Sequence, residues 1–198
     1  MAELTFYYGP MGCSKTANAL MIRYQHEEQG RNVWLIKPAI DTRDDITTKA
    51  GFKKTVVRSR VGISAQAEAV KEFEHINIPT GTDLVICDEA QFLQPWQVDE
   101  LVNIAKELNI PVICYGLRTD FKTYFFPGSK RLFEIADRII ELETFCGCGA
   151  KATISAKFID GHLITEGEQI DIGGDEKYKA ICYTCWNKLR LKKEKIDE

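Results

Sequence analysis

Short apolar runs alternate along this chain with segments of helical spacing, and that alternation leaves few folds open. Val33-Trp34-Leu35-Ile36 and Leu84-Val85-Ile86-Cys87 are nearly continuous apolar runs of strand length, the texture of strands buried on both faces. Leu4–Tyr8, Pro111–Tyr115 and Arg138–Leu142 read as further strands. Between them, Ala17, Leu20, Met21 and Tyr24 fall at i, i+3, i+4 and i+7, one face of a helix that Gly30 would stop. Val98–Leu108 reads as an amphipathic helix through Val98, Leu101, Ile104 and Leu108, Lys130–Ala136 as a short helix, and Ala65, Ala69 and Phe73 predict another over Ser64–Glu74. Strands alternating with helices imply an α/β fold: a mainly parallel sheet with helices on both faces, its first β-α-β unit closed by about residue 37. After Glu143 the texture shifts to glycines, paired cysteines and short β-like pieces, which places a domain boundary near Thr144. Asp41–Arg60 and Leu117–Ser129 take no assignment, and long loops in compact domains are either functional or disordered.

Gly9-Pro10-Met11-Gly12-Cys13-Ser14-Lys15-Thr16 lies between the first strand and the first helix. The general phosphate-binding loop reads G-x-x-x-x-G-K-[ST]. The first glycine, the lysine and the threonine fit, while Ser14 stands where the second glycine belongs. A loop that opens a helix aims backbone N–H groups and the positive helix end at phosphate oxygens. Lys15 would sit on the β- and γ-phosphates of ATP, and the Thr16 hydroxyl would hold Mg²⁺. A chance turn with a lysine at a helix start is the bland alternative, and the strand-loop-helix context weighs against it.

Asp88 and Glu89 answer this loop from the C-terminal end of the Leu84–Cys87 strand, where ligands of open α/β sheets gather. Asp88 suits the outer shell of Mg²⁺, on the expectation that adjacent strands bring it beside Thr16. Glu89 is then free to take the proton of an attacking hydroxyl.

Of seven cysteines, Cys13, Cys87 and Cys114 are scattered, whereas Cys146, Cys148, Cys182 and Cys185 form two close pairs around about 33 residues. Four thiolates suit tetrahedral Zn²⁺ with bonds of about 2.3 Å, and four protein ligands leave no open position, so the metal would be structural. Four reduced core cysteines are the alternative. The chain length of 198 residues fits one domain with a small appendage, and a net charge of −3 weighs against a nucleic-acid partner. The basic run from Lys188 to Lys195 reads as a solvated tail. No apolar run approaches the roughly 20 residues of a membrane helix. The N-terminus lacks a basic n-region, so a cytoplasmic protein is expected.

With these residues the sequence resembles the type II thymidine kinases, a P-loop and zinc-containing group that includes many bacterial enzymes. The resemblance covers nearly the whole chain. It rests on Gly9-Pro10-Met11 with Lys15-Thr16, Asp88-Glu89-Ala90-Gln91-Phe92, Tyr115-Gly116-Leu117-Arg118-Thr119-Asp120-Phe121, the cysteine pairs, and Ile172-Gly173-Gly174-Asp175-Glu176-Lys177-Tyr178. It implies a RecA-like P-loop kinase domain over residues 1–143 and a zinc-binding lasso or lid domain over 144–198. The implied reaction moves the γ-phosphate of ATP to the 5′-hydroxyl of thymidine, giving dTMP and ADP in pyrimidine deoxynucleoside salvage.

By the same resemblance Glu89 is the general base. Gly9, Pro10, Met11, Gly12, Cys13, Ser14, Lys15 and Thr16 bind ATP and magnesium together with Asp88, Glu89, Ala90 and Gln91. Met11, Phe92, Leu117, Phe121 and Phe126 surround the thymine ring. Gln169, Ile170, Asp171, Ile172 and Gly173, with Tyr178, form a zinc-anchored loop whose main chain bonds the base. Arg60 matches a phosphate-contacting arginine. A homotetramer inhibited by dTTP is implied, with no nucleic-acid or membrane partner. The family's loop reads Ser-Gly-Lys or Ala-Gly-Lys, against Cys13-Ser14-Lys15 here. If that position needs a positive φ, Ser14 carries strain.

Two other readings remain at this point. Asp88-Glu89-Ala90-Gln91 also looks like a helicase box, although the chain is too short for two motor domains. A non-catalytic zinc module that senses nucleotide is the second.

Overall fold

The computed structural model describes residues 1–47, 53–170 and 177–197. In chain order the elements are β1 (Leu4–Tyr8), α1 (Lys15–Glu28), β2 (Val33–Pro38), β3 (Ile46–Thr47), β4 (Lys53–Lys54), β5 (Val56–Arg58), β6 (Ser64–Gln66), β7 (Glu68–Val70) and β8 (Leu84–Cys87). A 3₁₀ turn over Ala90–Phe92 leads to α2 (Pro95–Glu107), β9 (Val112–Gly116), α3 (Pro127–Ile135) and β10 (Arg138–Glu141). The remainder is β11 (Ile154–Ile159), β12 (His162–Ile164), β13 (Tyr178–Ile181) and α4 (Tyr183–Asp197).

All five strands expected from the apolar runs enter one sheet of order β10-β1-β9-β8-β2-β7, parallel throughout. The pleat sends alternate residues to opposite faces. Leu84, Ile86 and Leu35 pack with Ala19 and Leu20 of α1, while Val85, Cys87 and Ile36 pack with Val98 and Leu101 of α2 and Leu132 of α3. Each such buried aliphatic side chain contributes about 1.5–3 kcal/mol, so both faces must be covered. Pro95 at the first position, with reciprocal bonds between Gln94 and Gln97, starts α2 ahead of its apolar repeat. At the other end of α1, Gly30 takes φ 75° just past the last turn, as a helix stop should.

Three expectations are corrected. Ser64–Glu74 is not a helix: it supplies β6, β7 and a turn, and β7 becomes the sixth strand of the sheet beside β2. Ala65, Ala67 and Ala69 satisfy a two-residue period as well as Ala65 and Ala69 satisfy a four-residue one, and pairing with an open sheet edge decides between them. On α1, Leu20 is buried but Met21 and Tyr24 are exposed, because the face against the sheet runs through Ala19 instead. Finally, β1 and β8 are not adjacent. β9 lies between them, and α1 crosses the gap.

Past Glu143 the chain forms an antiparallel sheet of order β12-β11-β13, with α4 against it. Its own core gathers Ala152, Ile154, Ala156, Leu163, Ile181 and Trp186 with Cys146 and Cys182. Hydrogen bonds tie this part to the larger sheet's loops. Met11 N donates to Ser155 Oγ at 2.9 Å, and Arg118 Nη2 donates to Thr153 O at 3.3 Å. Among the described residues no helix is long and apolar enough to cross a membrane.

Candidate active site

The turn after β1 is built around Gly9. A Cβ there would lie 2.4 Å from Leu142 O and 2.6 Å from Cys13 Sγ, so no larger residue fits. Ser14 adopts φ 65° immediately before α1, the left-handed conformation that glycine takes at no steric cost. Its carbonyl accepts the first helical bond, from Asn18 N. Lys15 is 8% exposed, and its Nζ arches back to donate to Gly9 O at 3.1 Å and Pro10 O at 2.9 Å.

Asp88 and Glu89 follow β8. Thr16 Oγ1 donates to Asp88 Oδ2 at 2.9 Å, so the helix start and the strand end meet across β9. Burial first, and the charge of Glu89 second, push the Asp88 carboxyl up to about 7. A cation bound beside it would reverse that tendency, and a hydroxyl with a carboxylate is the donor set Mg²⁺ prefers.

Glu89 has φ 53°, and like Ser14 it is one of five non-glycine residues with positive φ among those described. Two of the five thus line one site, where such strain tends to be kept. Both Glu89 oxygens are held: Oε1 accepts from Arg43 Nη2 at 2.6 Å, and Oε2 accepts from Gln91 Nε2. Burial raises the Glu89 carboxyl, but the Arg43 charge and the Gln91 amide outweigh it and hold it below its usual value.

Arg43 is fixed in turn by Asp41, which accepts from its Nε at 2.7 Å. Asp41 and Asp45 flank the fully buried ammonium of Lys37, at 3.5 and 3.2 Å. Gln91 is fully buried and accepts from Leu117 N at 3.0 Å, so it links Glu89 to the loop after β9. Gly116 permits this, because a Cβ there would stand 3.0 Å from Gln91 Oε1.

Two cavities meet at these residues. The larger, about 440 Å³, carries most of the charged side chains: Gly12, Ser14, Lys15, Thr16 and Asp88 line it, as do Arg58 at the end of β5 and Arg60 just after it. The smaller, about 40 Å³, collects Met11, Phe92, Leu117, Phe121, Phe126, Gln169, Ile170 and Tyr178. Met11, Arg43, Glu89 and Leu117 line both. Of the residues expected around the phosphates, Gly12, Ser14, Lys15, Thr16 and Asp88 line the larger cavity, whereas Gly9, Pro10 and Cys13 line neither of the two. Ala90 is buried under the turn and joins the main core. Asp171, Ile172 and Gly173 lie outside the described residues.

Cys146, Cys148, Cys182 and Cys185 present four sulfurs within 4.8 Å of one another. A tetrahedral metal with sulfur bonds of about 2.3 Å has edges of about 3.8 Å. Cys148 Sγ and Cys182 Sγ stand 3.7 Å apart, so the quartet fits such an ion. Backbone N–H groups of Cys148 and Cys182 lower the Cys146 thiol, while its sulfur neighbours raise that of Cys185. A dication would remove that crowding.

Comparison with known proteins supplies the family. The thymidine kinase family model matches residues 2–186. The chain belongs to the thymidine kinase family. It is 40% identical to the thymidine kinase of Enterobacteria phage T4, over 97% of this chain and 99% of that one. It is also 40% identical to the thymidine kinases of Zymomonas mobilis and Lactococcus lactis, each over 92% of this chain and 94–95% of theirs. As a member of this family the chain is a kinase.

Sequence reasoning passed over Arg43, Asp120 and Ser155, all of which line the smaller cavity. Arg43 lay in the unassigned stretch after β2, and its Asp41-x-Arg43 spacing at a strand end was the available signal. Asp120 lies in the Tyr115–Phe121 motif and the unassigned stretch after it, where nothing local marks its side chain. Gln91 was expected to bind ATP, whereas its side chain points inward to Glu89.

Proposed function

We propose that the protein transfers the γ-phosphate of ATP to the 5′-hydroxyl of thymidine, giving dTMP and ADP. The observation that carries this reading is the position of Glu89 between a larger cavity, lined by Lys15, Arg43, Arg58 and Arg60 together with Asp41, Asp44 and Asp88, and a small one lined by aromatic side chains. ATP would lay its phosphates along residues 9–16, with Lys15 turning from Gly9 and Pro10 onto the β- and γ-oxygens. Thr16 and Asp88 would hold Mg²⁺, which neutralises charge on those oxygens. Arg43, Arg58 and Arg60 complete a positive rim.

Thymidine would place its base among Phe92, Leu117, Phe121 and Phe126, with Met11 and Tyr178 closing the sides. Its 5′-hydroxyl then meets Glu89. Each Glu89 oxygen accepts one bond from Arg43 or Gln91 and keeps a second lone pair, so the carboxylate can still take the proton. The bond from the β–γ bridging oxygen to the γ-phosphorus breaks, and the 5′-oxygen bonds to that phosphorus. The proton passes to Glu89 and leaves to solvent.

In this reading residues 1–143 are the kinase domain and residues 144–198 a lasso domain whose four cysteines hold structural Zn²⁺. Residues 169–173 would bond the base through their main chain and exclude water. The protein works in the cytoplasm as a homotetramer in deoxynucleoside salvage, with dTTP as feedback inhibitor and no nucleic-acid partner. Thymidine, deoxyuridine, deoxycytidine and deoxyguanosine, each supplied with Mg-ATP, test it. Thymidine should be the best acceptor. ATP turnover stimulated by nucleic acid and indifferent to thymidine would favour the helicase-type reading instead.

A further inference from the structure

Asp120 is a carboxylate only 2% exposed, yet neither it nor its neighbours belong to the phosphate machinery. Its Oδ1 accepts from Lys122 N and Tyr124 N, both at 2.9 Å, and its own N–H donates to Tyr124 O at 2.9 Å. Those bonds close the turn between Phe121 and Phe126, two walls of the aromatic cavity. The other oxygen, Oδ2, turns outward and accepts from Gln169 Nε2 at 3.0 Å. Gln169 Nε2 also donates to Phe125 O at 3.2 Å, and Lys122 Nζ reaches Gly167 O at 2.8 Å. Three bonds from one short turn thus hold the strap at residues 167–169 over the cavity. The Gln169 amide is engaged by protein at the edge of that cavity.

We infer that the Asp120–Gln169 pair is a latch that sets nucleoside affinity by docking this strap on the cavity's aromatic turn, with Gln169 acting as a positioning residue. The inference rests on the nucleoside reading of the smaller cavity. A carboxylate makes the strong end of the latch because a charge-assisted bond is worth roughly twice a neutral one. Burial excludes the water that would otherwise replace the strap as donor. The latch is separate from ATP binding, since neither residue lines the larger cavity.

Exchanging the partners tests this. Gln169→Glu sets two carboxylates against each other. Asp120→Asn with Gln169→Glu restores an amide-to-carboxylate bond in the reverse sense, while Asn keeps an oxygen for Lys122 N and Tyr124 N. In steady-state kinetics, Gln169→Glu should raise the thymidine KM about tenfold or more, with the ATP KM changed less than about threefold. The double variant should return to within about threefold of the unsubstituted protein. Amide hydrogen exchange at residues 167–170 should follow the same order, fast in Gln169→Glu and slowed again in the double variant.

A thymidine KM unmoved by Gln169→Glu, or a double variant no better than that single one, would overturn the latch. If the unsubstituted protein makes no dTMP, the nucleoside reading fails instead. The exchange data then decide the latch alone: equal exchange in all variants overturns it.

Discussion

Arg43 Nη2 lies 2.6 Å from Glu89 Oε1, so the carboxylate at the end of β8 is anchored to the turn that follows β2. The two strands are neighbours, with Ile36 opposite Cys87, and Asp88 N donates to Ile36 O at 3.0 Å. Sheet register therefore decides which cation meets the acid. Lys37, at the end of the same strand, meets Asp41 and Asp45 of the turn that carries Arg43. The orientation of Glu89 is thus set jointly by Arg43 from the neighbouring strand's turn and by Gln91 from its own loop.

Ser14 should be improvable. A left-handed backbone costs an L-residue about 1–2 kcal/mol, while glycine's extra unfolded freedom gives back about 0.4–1 kcal/mol. Ser14→Gly should leave stability unchanged or raise it by up to about 1.5 kcal/mol, at about 2–4 °C of Tm per kcal/mol for this chain length. It should also lower the ATP KM, because Ser14 lines the larger cavity beside Lys15 and Thr16. Calorimetry and ATP kinetics on Ser14→Gly and Ser14→Val check this. The valine, β-branched, should be worse than the native serine on both counts.

Lys37 carries the largest stability prediction. It is 1% exposed, and two carboxylates face it. Lys37→Met removes one partner from a buried ion cluster, a change that typically costs about 3–5 kcal/mol. Arg43 remains on Asp41 and Lys53 on Asp45, so a loss near the lower end is expected. Urea unfolding measures it. A change under about 0.5 kcal/mol, the range of a neutral surface site, would contradict the buried cluster.

Asp137 gives a pH signature. Its carboxylate takes Lys106 Nζ at 2.6 Å and Leu4 N at 2.8 Å, and these partners lower its carboxyl below the ordinary 3.8. The folded state therefore binds this proton less tightly than the unfolded chain does. The stabilisation is fully present above pH 3.8 and is lost as pH falls through the lowered folded value. Asp137→Asn should be less stable by about 1 kcal/mol at pH 7, given partial exposure. The difference should stay constant down to about pH 5 and narrow below about pH 4.

The cysteine quartet predicts one zinc per chain. Cys182→Ser, or a strong chelator, should release the metal and lower the melting temperature, since Cys146 and Cys182 share the small sheet's core. The thymidine KM should rise more than the ATP KM, because β11 and β13 carry Ser155 and Tyr178 to the aromatic cavity. Elemental analysis and paired kinetics measure both.

Local pattern made much of this legible. The apolar runs located five parallel strands, and the acidic pair and the cysteine pairs stand close in space to the partners expected for them. What stayed hidden depended on order and register. Nothing in Ser64–Glu74 says that β2 offers an open edge, so an alanine-rich segment with two periods took the wrong one. Nothing near Arg43 says that β8 will lie beside β2, and Ser155 reaches Met11 only because the small sheet folds back on the turn after β1. Gln91 lay in the right motif, but the close approach of Gly116 turns its side chain toward Glu89.

The most direct test of the central claim is label transfer from γ-labelled Mg-ATP to thymidine by the native protein and by Glu89→Gln, with ATP affinity measured on both. The native protein should form labelled dTMP. The variant should lose about 10²–10⁴-fold in turnover, the usual contribution of a general base, and keep its ATP affinity. Undiminished turnover in Glu89→Gln, or no labelled dTMP from the native protein, would contradict the account.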